Sequence, residues 1–72
     1  MTSELDNYLS TTFGIDNFHI VSDEAFGRIK RENQFQLYNF SGLRCQVCIV
    51  YPSHPVAYSV EYNDGSIYYY EI

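Results

Sequence analysis

Cys45-Gln46-Val47-Cys48 has the spacing of a redox or metal-binding pair and is the first place to look for chemistry in this sequence. Two thiolates serve one metal ion only where a tight turn and further ligands bring them together, and a redox pair needs a helix N-terminus to lower a thiol pKa. These cysteines instead lie in an apolar, β-branched run, and residues three apart on a strand point to opposite faces. The expectation is one core cysteine and one on the opposite face, with no metal and no cofactor. The alternative, a metal shared by Cys45, Cys48, His19 and His54, would require all four to converge. His19 and His54 are the acid-base candidates, yet no local signature supplies a nucleophile and an orienting group for either. His54 lies between prolines, where a solvated ring is expected. Neither GxGxxG nor a Walker-type spacing occurs, so no loop is marked to cradle a phosphate. These exclusions point away from an enzyme.

Aromatic side chains are the other abundant resource: eight tyrosines and five phenylalanines, with Tyr58, Tyr62, Tyr68, Tyr69 and Tyr70 near the C-terminus. Consecutive tyrosines at 68, 69 and 70 cannot all face one side of a strand, so at least one ring must leave the main core face. Tyrosine offers apolar area with a polar tip and is enriched in protein-binding hot spots. Glu61, Asp64 and Glu71 would give such a surface an acidic rim. Tyr62, Tyr69, Glu61, Asp64 and Glu71 are therefore the candidate partner-binding residues.

Nine acidic residues against four basic ones leave a net charge of −5, which opposes direct binding to nucleic acid and to anionic membranes. Arg28, Lys30 and Arg31 form a basic cluster that the C-terminal end of a helix explains. RNA stacking on a tyrosine-rich sheet is disfavoured by the absence of interleaved Lys or Arg. The apolar run 47–51 is too short to span a bilayer, and Glu4 and Asp6 do not suit a signal-peptide n-region. The expected location is cytoplasmic, with which two cysteines are compatible.

These residues need elements to position them. Leu5, Tyr8, Leu9 and Thr12, with Phe13, recur at helical spacing and predict a helix over 4–13, capped by Ser3 and stopped by Gly14. Residues 18–21 read as a short strand or an extended link. Ser22 opens a helix over 23–32 with acids in its first turn, bases in its last, and a thin apolar face of Ala25, Phe26 and Ile29. From Phe35 onward the period is two, which predicts strands over 35–40, 43–51, 56–62 and 66–72. Ser41-Gly42 joins the first pair, and Pro52-Ser53-His54-Pro55 breaks the run that follows. In the second strand Leu43, Cys45, Val47, Ile49 and Tyr51 share one face, expected to be core, and Arg44, Gln46, Cys48 and Val50 share the other.

The last hairpin has two registers: a two-residue Asp64-Gly65 turn, or a three-residue loop with Gly65 in a left-handed bulge. The bulge form is preferred and groups Tyr58, Val60 and Tyr62 with Tyr68, Tyr70 and Ile72. With 72 residues the chain has room for one domain. The expected fold is α+β, with two short N-terminal helices packed on one face of a three- to four-stranded antiparallel β-meander.

The function this predicts is a non-catalytic protein-binding module: a small acidic inhibitor, an immunity-type protein or a regulatory subunit acting through a tyrosine-rich sheet surface. One alternative is an acidic nucleic-acid mimic of the phage anti-defence type, using Glu4, Asp6, Asp16, Asp23 and Glu24 to block a basic groove. Mimicry would require the acids on one continuous face. A second alternative is a structural homodimer formed by pairing the C-terminal strand, 67–72, as a sheet edge.

Overall fold

The computed structural model describes residues 3–42 and 44–72. In chain order the elements are α1 (Ser3–Phe13), β1 (His19–Ile20), α2 (Asp23–Glu32), β2 (Gln34–Phe40), β3 (Cys45–Tyr51), β4 (Ala57–Tyr62) and β5 (Ile67–Glu71). The class is α+β, and the strands form one antiparallel sheet of five in the order β1-β5-β4-β3-β2.

Two features depart from the expected meander. First, the segment before α2 supplies a fifth strand: His19 and Ile20 pair with Glu71 and Tyr70, and the Val21 N–H donates to the Tyr69 carbonyl at 3.0 Å. β5 is therefore bordered on both sides and is not the C-terminal edge strand that self-pairing would need. The long outer strand is β2, and the other edge is the two-residue β1.

Second, the helices cover opposite faces. Leu5 and Leu9 of α1 pack with Cys45, Val47, Ile49, Tyr58 and Val60, whereas Phe26 of α2 packs with Cys48, Val50 and Ala57. Alternation along β3 makes these two separate cores. The physical reason lies in β3 itself, whose Cys48 and Val50 make its second face apolar, so that face too must be shielded from water.

Local chemistry sets the element ends. Gly14, at φ 71°, stops α1 as expected, with its N–H on the Ser10 carbonyl. Thr12, counted with the apolar face, is exposed. The expected cap at Ser3 involves a side chain outside the described ones, and Leu43 lies outside the described residues. The Ser22 hydroxyl caps α2 by accepting from the Ala25 N–H at 3.1 Å, and Asn33 Nδ2 donates to the Ile29 carbonyl at the other end. A methyl group added at Gly27 would meet only Arg31 Nη1, at an ordinary 3.5 Å. Gly27→Ala should therefore raise the unfolding free energy by about 1 kcal/mol, measured by urea denaturation, because only the helix-propensity term changes.

Both long hairpins have informative turns. Phe40 pairs with Cys45, so the first connection runs through residues 41–44 and is longer than Ser41-Gly42. Among its described residues Arg44 is left-handed, at φ 53°, a conformation that costs a non-glycine side chain about 1–2 kcal/mol. In the last hairpin the Tyr62 N–H donates to the Ser66 carbonyl at 2.9 Å and Gly65 sits at φ 95°, which is the three-residue bulge form. Tyr58 and Val60 accordingly face Tyr70 and Tyr68.

Candidate protein-binding surface

The tyrosines divide between the two faces. On the α1 side, Tyr58 and Tyr70 stack at 4.8 Å, and Phe18 meets both edge-on at 5.8 and 5.2 Å. Tyr8 and Phe13 of α1 extend this layer over Phe40 and Tyr38. Tyr58 is 2% exposed, and burial, reinforced by Tyr70, pushes its phenol well above the usual tyrosine range. Tyr58 belongs to the core, Tyr70, Phe13, Tyr38 and Phe40 pack against it, and Tyr8 and Phe18 are exposed rings at the margin of the layer.

On the α2 side the cover is incomplete. α2 is a ten-residue helix whose one buried residue is Phe26, and it shields only part of its face. Beside it runs a groove of about 370 Å³ lined by Phe26 of the helix and by the sheet face, with Leu37 on β2, Ile67 and Tyr69 on β5, and Gln46, Ser59 and Glu61 between them. Leu37 is 50% exposed and Ile67 43% exposed, a high fraction for aliphatic side chains flanking one recess. Lys30 and Asp23 supply charges from α2, and Glu61 supplies one from the inner strand β4.

The five residues singled out from sequence do not form one surface. Tyr69 and Glu61 come together in this groove, Tyr69 with its ring 5.2 Å from Phe26. Tyr62 points to the opposite face, edge-on to Tyr68 at 6.0 Å. Asp64 serves the turn: its Oδ1 accepts from the Ser66 N–H at 2.9 Å, which holds its carboxyl below the usual carboxylate range. Glu71 lies at the β1 edge, with Oε1 3.3 Å from His19 Nε2 in an exposed pair.

Sequence reasoning missed Phe35, Leu37 and Ile67. The signal for Phe35 and Leu37 was present in the alternation of β2, where they share a face with Asn39, and that for Ile67 in β5, where it shares a face with Tyr69, but not which helix would leave that face bare.

The cysteines occupy different cores, Cys45 under α1 and Cys48 under α2, with the sheet between them. Burial raises both thiols above their ordinary value, at Cys48 against opposing effects of Lys30 and the Ser59 hydroxyl. His54 is exposed, its Nδ1 3.2 Å from the Ser53 hydroxyl. Among the described residues no three His, Cys, Asp or Glu side chains are grouped to hold a metal ion, and no helix is long and apolar enough to cross a membrane. Comparison of the chain with protein-family models, with curated proteins and with solved structures returns no match.

Proposed function

We propose that this chain is a non-catalytic protein-recognition module, of the inhibitor or regulatory-subunit kind, that binds its partner through the groove beside α2. The observation that carries this reading is the pair of exposed aliphatics, Leu37 on β2 and Ile67 on β5, on a sheet face that α2 covers incompletely, with Tyr69 two residues from Ile67 and its ring against Phe26 of the helix. Exposed apolar side chains interspersed with polar and charged ones are common in protein interfaces, and Tyr69 supplies an aromatic anchor. The groove lining contains both signs of charge, which favours a partner with matching polarity over a uniformly basic groove. Acidic mimicry is less well supported, because Asp6 lies on the α1 side and Asp23 on the α2 side of the sheet.

The test is affinity capture from the native host with wild type beside Ile67→Asp and Tyr69→Ala, each first shown to be folded by amide NMR. A partner retained by wild type should be lost with Ile67→Asp and weakened by about tenfold or more with Tyr69→Ala. A partner held equally by all three proteins would sink the groove as the contact surface. Binding that vanishes with salt but ignores both substitutions would favour mimicry.

A further inference from the structure

The outer strand β2 combines three properties. It is seven residues long, Gln-Phe-Gln-Leu-Tyr-Asn-Phe, and carries no charge, proline or glycine. Natural edge strands are normally guarded by charges, prolines, bulges or short length, and the opposite edge of this sheet is guarded by length alone, since β1 has two residues. β2 pairs residue for residue with β3 from Gln34 to Phe40 without a bulge, and among the described residues no strand lies on its other side.

The direction of its backbone groups follows from the hydrogen bonds of the last hairpin. The Tyr62 N–H points to β5 and the Asn63 N–H to the Arg44 carbonyl on the β3 side. Alternation then directs the odd residues of β4 to β3, the odd residues of β3 to β2, and the even residues of β2 to β3. The N–H and C=O groups of Phe35, Leu37 and Asn39 are left pointing outward along the edge. The side chains of Phe35 and Leu37 are 46% and 50% exposed, and they would lie beside alternate side chains of any added strand.

Charge selects the occupant. The four basic residues of the whole chain are Arg28, Lys30, Arg31 and Arg44. Three sit in the second half of α2, immediately before β2, and the fourth ends the loop immediately after it. Lys30 Nζ lies 4.4 Å over the Phe35 ring, so this charge borders the edge itself. Arg44 is held there in a left-handed conformation that a glycine would adopt without strain. A second copy paired antiparallel would bring the basic end of one β2 against Arg44 of the other, which like charges disfavour. An extended segment with acidic ends meets no such repulsion.

We propose that β2 is a docking edge that takes, by strand addition, an extended segment of another protein with an uncharged alternating centre and acidic ends. This rests on the reading of the chain as a protein-recognition module and adds the partner's chemistry to it. Main-chain pairing would supply affinity, and the contacts at Phe35 and Leu37 with the flanking charges would supply selectivity.

The probe is a synthetic peptide of alternating valine and threonine with a pair of aspartates at each end, compared with the same core flanked by lysines. In wild type, amide exchange at Phe35, Leu37 and Asn39 should slow by about tenfold or more on adding the acidic peptide, while Gln36 and Tyr38 are protected beforehand. The acidic peptide should bind about tenfold or more tighter than the basic one at low salt, and the difference should collapse near about 1 M salt. Arg44→Gly should retain the fold and weaken the acidic peptide several-fold. Leu37→Pro, which removes an outward N–H that β3 does not use, should abolish binding. Should that variant misfold, the wild-type exchange measurement still decides.

Absence of protection at Phe35, Leu37 and Asn39, or equal affinity for both peptides, overturns the proposal. So does protection that appears without peptide and grows with protein concentration, since the occupant would then be a second copy. Loss of the edge result with an Ile67-dependent host partner intact removes the docking edge and leaves the groove reading in place. Protection of the edge alongside a host partner indifferent to Ile67→Asp does the reverse.

Discussion

Phe26→Ala is expected to remove about 3–5 kcal/mol of stability and to release α2 from the sheet. Phe26 is 3% exposed and is the one buried residue of that helix, packed with Cys48, Val50 and Ala57 and tilted against Tyr69 at 5.2 Å. Truncating a buried phenylalanine costs the transfer free energy of the ring together with the cavity it leaves. Stabilities of about 0.05–0.15 kcal/mol per residue imply only about 4–11 kcal/mol for a chain of this length, so the loss is a large share of the whole. A ten-residue helix also has little stability of its own in water once its anchor is gone. Urea denaturation should show the loss, and hydrogen exchange should show α2 amides opening while the α1 core, built on Leu5 and Leu9, stays protected. Phe26→Leu should cost far less, because most of the volume is kept. A Phe26→Ala protein with wild-type stability would mean that α2 is not held through this side chain.

Alkaline pH should unfold the protein well before its exposed tyrosines alone would account for the change. Tyr58, Tyr70, Cys45 and Cys48 are all pushed upward, with burial the first cause in each case. For an acid whose pKa is raised by folding, the unfolded chain releases its proton first. Stability is therefore full below the unfolded pKa and is lost as pH rises toward the folded one. The window opens near pH 9 for the thiols and near pH 10 for the phenols, where those groups ordinarily ionise. Each fully buried group costs about 1.4 kcal/mol per pH unit inside its window. Tyr58, Cys45 and Cys48 are each at most 6% exposed, so their effects add without much screening. Phenolate absorbance should rise in two phases, a gradual one from exposed rings and a cooperative one that coincides with loss of far-ultraviolet circular dichroism. Tyr58→Phe should move the cooperative phase to higher pH. A single gradual titration with the fold intact would contradict this account.

Much of the local structure was legible because it is decided by neighbours in sequence. The helical spacing of Leu5 and Leu9, the stop at Gly14, the Ser22 cap and the period-two runs after Phe35 all depend on contacts a few residues apart. The bulge at Gly65 belongs here as well, since the turn residues themselves favour it. Opposite orientation of Cys45 and Cys48 follows from strand geometry alone.

Tertiary structure decided where the faces went. Which helix covers which side of β3 depends on the route of residues 14–22, and that route also inserts His19 and Ile20 beside β5. The insertion takes away the edge expected at the C-terminus and leaves β2 as the long open one. Of the five residues proposed from sequence, Tyr69 and Glu61 share the groove, while Tyr62, Asp64 and Glu71 are carried elsewhere by strand parity, a turn hydrogen bond and the β1 pairing. The sequence by itself determined both helices, the four strands after Phe35, the alternating faces of β3 and the gathering of every basic residue around β2. Only the packing of distant segments decided that α2 is too short to cover its face, and hence that Leu37, Ile67 and the edge of β2 meet solvent.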